Sequence, residues 1–113
     1  MTHIVQGHDI ATLINVFTVA PEHQQRLVDL LNAATVQTMR TQPGFISANI
    51  HKSIDGTRVV NYAQWRRRED FEAMLRDPDA AAHMREAAQI ALAFDPHLYE
   101  VSFIDEITQP RAC

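Results

Sequence analysis

The chain has 113 residues, of which 46% are hydrophobic and 21% charged, and its net charge at pH 7 is −4. This composition is typical of one globular domain with a modest core. The negative balance disfavours a nucleic-acid partner, which would need a basic surface, and the arginines at 66–68 are followed by acidic residues that predict a solvated helix start instead.

The predicted elements follow in chain order. Residues 11–19 are rich in β-branched and aromatic side chains and predict a strand. Pro21 opens an amphipathic helix at about 21–40, which Pro43-Gly44 ends. Further strands are predicted at 45–53, 57–65 and 98–107, with a turn at 54–56, a short helix at 68–76 and a last helix that begins at 77–78 and runs to about 92, before a break at 94–96.

The order β-α-β-β-α-β, with its second helix in two pieces, predicts the α+β class. It favours a ferredoxin-like split βαβ arrangement, in which an antiparallel sheet carries its helices on one face. In the first strand, Leu13, Phe17 and Val19 point to one face while Ile14 and Val16 point to the other. Because helices can cover only one of two apolar faces, we expect a second copy on the other, giving a homodimer of the dimeric α+β barrel type.

Cellular location is indicated only by what the sequence lacks. The single cysteine, Cys113, cannot form an intramolecular disulfide, which favours a reducing compartment. The first nine residues lack the apolar run of a signal peptide, and no apolar run approaches the length of a membrane span. We therefore expect a cytoplasmic protein with no membrane partner, folded as one domain over 1–113 with its core at about 11–107.

Two asparagines interrupt apolar strand faces. A buried amide that lacks a hydrogen-bond partner costs about 1–3 kcal/mol. Asn15 or Asn61 alone could be a satisfied core amide, and Trp65 alone is more often a packing residue. All three together favour a ligand pocket.

The register of the predicted hairpin decides which side chains join these residues. A two-residue loop would pair Ile50 with Asn61, whereas a three-residue loop would pair Asn49 with Asn61 and place His51 on the same face. The second register gathers these polar groups with Trp65. We prefer it because the first would disperse polar groups over two buried faces.

Other candidates are weaker. Arg85, on the last helix, either reaches over the pocket or is solvated, and His83 is expected to be exposed or interfacial. The remaining histidines show no metal-ligand spacing. Three glycines in total argue against a phosphate-binding loop. We expect no metal and no cofactor.

A long stretch of the chain resembles the antibiotic biosynthesis monooxygenase family. The stretches are "GFISANIHKSIDGTRVVNYAQW", followed by "REDFEAML", "DP" and "MREA". Within that family they are most similar to the small cofactor-independent, quinone-forming monooxygenases of aromatic polyketide pathways, of the actinorhodin and nogalamycin type. The resemblance spans about residues 12–104, and "NYAQW" after "DGT" is its most specific part.

The resemblance implies a homodimer with one pocket per subunit between sheet and helices. It implies oxidation of a polycyclic anthrone or naphthacenone to a quinone with O₂, without flavin, haem or metal. Asn15, Asn61 and Trp65 match family residues implicated in catalysis. Among the substrate-binding candidates, Phe71 stands where the family has a tyrosine.

The resemblance also implies substrate contacts from His51 and Arg85, and the preferred register adds Asn49 to them. In the expected mechanism, amide N–H groups stabilise the oxyanion of the deprotonated substrate. His51 accepts the proton, since imidazole changes protonation near neutral pH. Trp65 stacks on the polycycle.

Two alternatives stay open. Haem-degrading enzymes share this fold and carry an iron-ligating histidine about ten residues after the tryptophan, but residue 75 here is leucine. A non-catalytic dimer, or a protein handling a small metabolite or quinone, is the other alternative. Haem titration followed at the Soret band tests the first, and oxygen uptake with an anthrone tests the second.

Overall fold

The structure is a computed structural model that describes residues 2–107. Within them the chain forms strands β1 (Gly7–Thr18), β2 (Phe45–Lys52), β3 (Arg58–Trp65) and β4 (Ala93–Val101), and helices α1 (Gln24–Gln37), α2 (Arg68–Leu75) and α3 (Pro78–Ile90). The strands pair antiparallel in the order β2-β3-β1-β4. This confirms the predicted ferredoxin-like α+β fold, with the second helix divided into α2 and α3.

The helix starts follow from local chemistry. Pro21 opens a 3₁₀ turn ahead of α1, and Pro78 occupies the first turn of α3. The Asp77 carboxylate caps α3 by accepting a hydrogen bond from the Ala80 N–H at 3.0 Å. The predicted helix at 21–40 is divided, because α1 ends at Gln37 and a second 3₁₀ turn follows at Met39–Thr41.

Gly44 brings the end of this region against the start of α2. It has a positive φ of 82°, and a Cβ there would collide with the Asp70 side chain. The Gly44 carbonyl accepts a hydrogen bond from the Arg66 N–H at 2.8 Å. Only glycine fits this turn, which fixes the approach of α2 to the sheet beside Trp65.

The last strand begins earlier than predicted. Residues 94–96 were expected to break the chain between helix and strand, but β4 already spans Ala93–Val101, and residues 102–107 lie outside it. Pro96 is tolerated because β4 is an edge strand. Asn15, which pairs with Pro96, accepts the Asp95 N–H through its side-chain oxygen at 3.2 Å.

The preferred hairpin register was wrong, and the observed pairing is the one that the alternative register gave. The structure pairs Ile50 with Asn61, Asn49 with Tyr62 and His51 with Val60. Asn49 and His51 therefore lie on the sheet face opposite Asn61, and not beside it.

The turn chemistry explains this register. The Ser53 N–H donates to the Arg58 carbonyl at 3.0 Å, which closes a loop over residues 54–57. The Ser53 hydroxyl accepts the N–H groups of Thr57 and Arg58, at 3.1 and 2.9 Å, and the Asp55 carboxylate accepts the Thr57 N–H at 3.0 Å. These side chains satisfy the backbone of a longer loop than either alternative assumed.

The core lies between the helices and one face of the sheet, which we call the inner face. Leu13, Phe17 and Val19 of the β1 segment are buried there, as their alternation predicted. On the other, outer face, Ile14 and Val16 are partly exposed. No helix within residues 2–107 is long and apolar enough to cross a membrane.

Candidate active site

A cavity of about 440 Å³ separates the inner face of the sheet from the helices. This volume lies in the range of small-molecule sites. Its walls are mainly apolar; the side chains with nitrogen or oxygen atoms are Asn15, Thr35, Asn61, Trp65, His83 and His97.

Two amides lie side by side on the floor of the cavity. Asn15 of β1 is directly opposite Asn61 of β3 in the antiparallel register, which places their Cβ atoms about 5 Å apart. The Asn15 oxygen is engaged by the Asp95 N–H, so its amino group is the end available to a ligand. The Asn61 side-chain oxygen is buried and has no hydrogen-bond partner.

Trp65 closes one end of the cavity and is 1% exposed. Its ring makes edge-to-face contacts with Phe45 and Phe71, at centroid distances of 5.5 and 6.1 Å. The indole N–H is buried without a partner. Trp65 follows Asn61 by four residues on the same face of β3, a separation of about 13 Å at 3.3 Å per residue.

Small side chains leave room between the amides and the indole. Ala48 and Ala63 are paired on the floor, and the opposing helices present Ala34, Ala87 and Ala88. These alanines leave space in the cavity for a ligand beside the amides and the indole.

Unpaired polar atoms concentrate at this cavity. In the part of the chain that the structure describes, four buried side-chain atoms lack a hydrogen-bond partner: Asn61 Oδ1, Tyr62 Oη, Trp65 Nε1 and His83 Nδ1. Three of them belong to cavity-lining residues. A buried polar atom left without a partner generally costs about 1–3 kcal/mol, and a ligand that reached these atoms would supply one.

His83 is a site residue that the sequence analysis did not identify. It lies on the inner side of α3, lines the cavity, and its Nε2 is 3.1 Å from the Thr38 hydroxyl. Helical spacing could have found it, since His83 falls three residues after Ala80 and four before Ala87, both of which are buried.

Three predicted substrate-binding residues do not line the cavity. Asn49 is on the outer side of the hairpin, where its amide donates to the Tyr62 carbonyl at 3.1 Å. His51 is exposed, with Nδ1 at 3.1 Å from the Asn49 carbonyl oxygen, and Arg85 is exposed on α3. The observed register explains the positions of Asn49 and His51. Arg85 points away from the cavity because it lies two residues after the inward-facing His83, a step of about 200° around the helix.

Phe71, the fourth, does line the cavity. It packs against Trp65 through its ring and contributes no hydroxyl group. The cavity therefore contains Asn15, Asn61, Trp65 and Phe71 from the predicted set.

An apolar pocket lined by a few polar groups is typical of a protein that binds a small organic molecule. The chain belongs to the antibiotic biosynthesis monooxygenase family, which matches residues 10–86. It is accordingly a monooxygenase, and the family assignment favours the enzymatic interpretation over the non-catalytic alternative.

Individual relatives agree with this assignment. The chain is 51% identical over 83 residues to the tetracenomycin-F1 monooxygenase of Streptomyces glaucescens, covering 74% of each chain. It is 28% identical to a monooxygenase from the gene ActVA-Orf6 of Streptomyces coelicolor, solved in complex with nanaomycin D, with a TM-score of 0.71 over 91% of this chain and 94% of the other. SnoaB, a cofactor-independent oxygenase from Streptomyces nogalater, is similar in fold at 24% identity, with a TM-score of 0.66 over 91% and 99%.

Proposed function

We propose that this monooxygenase oxidises an anthrone-like polycyclic aromatic polyketide intermediate to a quinone with O₂, without flavin, haem or metal. The names of two relatives support the substrate class, since one acts on tetracenomycin F1 and the other was solved with nanaomycin D. The observation that carries the proposal is the unpaired side-chain oxygen of Asn61 beside Asn15 on an apolar floor.

The amide pair suits the first step of such a reaction. Removal of a proton from the methylene carbon of an anthrone leaves an anion whose charge is delocalised onto the ring oxygen. With its oxygen bonded to the Asp95 N–H, Asn15 would offer its amino group to the substrate, and a 180° rotation of the Asn61 amide places its amino group where its oxygen lies. N–H donors already in place in an apolar cavity stabilise a developing oxyanion strongly, because they need no reorganisation.

The second step needs only the substrate anion and O₂. One electron passes from the anion to O₂, and the resulting radicals combine through a new C–O bond to give a hydroperoxide after protonation. Loss of the second carbon-bound proton and cleavage of the O–O bond then release water and leave the carbonyl. The methylene carbon supplies all four electrons, so no external reductant is required.

Trp65 is proposed to hold the far end of the polycycle. Its indole ring offers a large apolar surface, and its unpaired N–H can donate to a substrate oxygen. The separation of about 13 Å between Trp65 and Asn61 along β3 would let these contacts act on opposite ends of one extended ring system. Phe71 would complete the apolar wall.

A homodimer is part of the same proposal. The outer face carries Ile14, Val16 and Val60, which are partly exposed and are not covered by the helices, since these pack on the inner face. Burial of this face by a second copy would remove apolar surface from water at about 25 cal/mol per Å². It would also leave one complete cavity in each subunit.

The test is incubation with an anthrone, either dithranol or emodin anthrone, followed by the quinone absorbance with and without O₂. We expect quinone formation well above the spontaneous rate, only in the presence of O₂, from protein to which no cofactor was added. A rate equal to the spontaneous one for both compounds would contradict the proposal. Haem titration followed at the Soret band tests the haem-degrading alternative.

A further inference from the structure

We propose that His83, positioned by Thr38, is the base that takes the proton from the substrate carbon. This inference rests on the proposed function and assigns a residue for its first step. The observation behind it is an imidazole on the cavity wall with one nitrogen held by the Thr38 hydroxyl at 3.1 Å and the other nitrogen, Nδ1, buried without a partner.

Few other groups in the cavity could accept a proton. Within residues 2–107 the ionisable side chains on its wall are His83 and His97, and no carboxylate lines it. His97 is exposed, and its Nε2 lies 2.8 Å from the Asp95 carboxylate. His51, the base expected from the resemblance, is exposed on the outer side of the hairpin and does not line the cavity.

Thr38 is a firm anchor for the ring. It is 7% exposed and is the C-cap residue of α1, where its N–H donates to the Ala34 carbonyl at 3.0 Å. Its own carbonyl accepts the Thr41 hydroxyl at 2.7 Å. These bonds fix the Thr38 residue, so its side chain can hold the imidazole of a neighbouring helix in one orientation.

The contact with Thr38 allows a tautomer in which Nδ1 is the basic nitrogen. When the His83 Nε2–H donates to the Thr38 oxygen, Nδ1 carries the lone pair. The substrate C–H bond breaks, an N–H bond forms at Nδ1, and the electron pair stays with the substrate, delocalised onto the oxygen that the asparagines face. The imidazolium keeps its bond to Thr38, and the Nδ1 proton can later pass to the peroxide oxygen.

Anaerobic proton exchange tests this step apart from oxidation. Dithranol is incubated with enzyme in D₂O without O₂, and deuterium uptake at the methylene carbon is measured by mass spectrometry above the uncatalysed rate. We expect wild type to accelerate exchange and His83→Gln to lower both exchange and turnover by a factor of ~10²–10⁴. The matched control is His23→Gln, an exposed histidine ahead of α1, which should match wild type in both assays.

Two further variants keep the test decisive if His83→Gln folds poorly. His83→Ala should regain exchange when imidazole is added, as expected for a missing base. Thr38→Val should lower exchange less than His83→Gln does, and Thr38→Ser should restore it by returning the hydroxyl. Quenching of Trp65 fluorescence by the quinone product should show unchanged binding in each folded variant.

The outcomes separate this inference from the function on which it rests. If wild type forms quinone and His83→Gln keeps wild-type exchange, or if imidazole fails to rescue folded His83→Ala, the assignment of His83 is wrong while the proposed function stands. If wild type neither exchanges the proton nor forms quinone from either anthrone, the proposed function is wrong and the assignment falls with it.

Discussion

Replacement of Asn61 by alanine separates a catalytic amide from a structural one. The Asn61 side-chain oxygen has no partner in the fold, so its removal leaves no other group unsatisfied. The small space created adjoins an existing cavity and forms no closed void. We therefore expect the melting temperature of Asn61→Ala not to fall, and turnover to drop by ~10²–10³, the effect of about 2.7–4 kcal/mol for one lost oxyanion donor.

Asn15→Ala is the natural comparison. Its oxygen holds the Asp95 N–H of the edge strand at 3.2 Å, a bond that contributes about 0.5–1.5 kcal/mol. Asn15→Ala should therefore lower the melting temperature by roughly 2–6 °C, at about 4 °C per kcal/mol for a domain of this size. The two neighbouring amides thus differ in stability effect, although both face the cavity.

The assay is quinone formation and thermal melting on the same preparations, with kcat and KM determined separately. An oxyanion donor affects kcat more than KM, because it acts in the transition state. A destabilised but fully active Asn61→Ala would refute the reasoning. It would show that the Asn61 amide stabilises the fold and takes no part in catalysis.

Three further outcomes are expected. Trp65→Phe keeps its contacts with the neighbouring rings but loses the N–H and some surface, so turnover should fall about tenfold, as for one missing hydrogen bond; wild-type turnover would argue against an indole contact. Hydrogen bonds from Ser53 and Thr57 hold the pKa of Asp55 at about 2, below its usual 3.8. The ionised carboxylate therefore stabilises the fold above pH 3.8, and this stabilisation is lost as the pH falls to about 2. The melting temperatures of wild type and Asp55→Ala should converge over that interval, and a difference that does not change with pH would contradict this. Light scattering at micromolar concentration should give the mass of a dimer, and a monomer would refute the proposed outer-face interface.

Local chemistry made most of the fold predictable. Pro21 and the pair Asp77-Pro78 mark helix starts through effects confined to a few residues, and the structure places both where expected. Alternation along β3 put Asn61 and Trp65 on one face, and both line the cavity. Such periodicity survives in the fold because a strand has only two faces.

The hairpin register could not be read from periodicity. It depends on the Ser53 and Asp55 side chains, which satisfy the backbone of the loop, and a shift of one residue moves every side chain of β2 to the other face. Asn49 and His51 were misplaced for this reason. His83 was missed although its spacing from the buried Ala80 and Ala87 places it on the inner side of α3. Only its contact with Thr38, the C-cap residue of α1, depends on how the helices pack.

The central claim is that one atom of O₂ enters the substrate carbon and the substrate itself supplies every electron. Incubation with an anthrone under ¹⁸O₂ in unlabelled water, with oxygen uptake recorded in parallel, tests this most directly. We expect one ¹⁸O in the quinone, one O₂ consumed for each quinone formed and no accumulated hydrogen peroxide, from protein to which no cofactor was added. An unlabelled quinone accompanied by stoichiometric hydrogen peroxide would identify an oxidase and contradict the account.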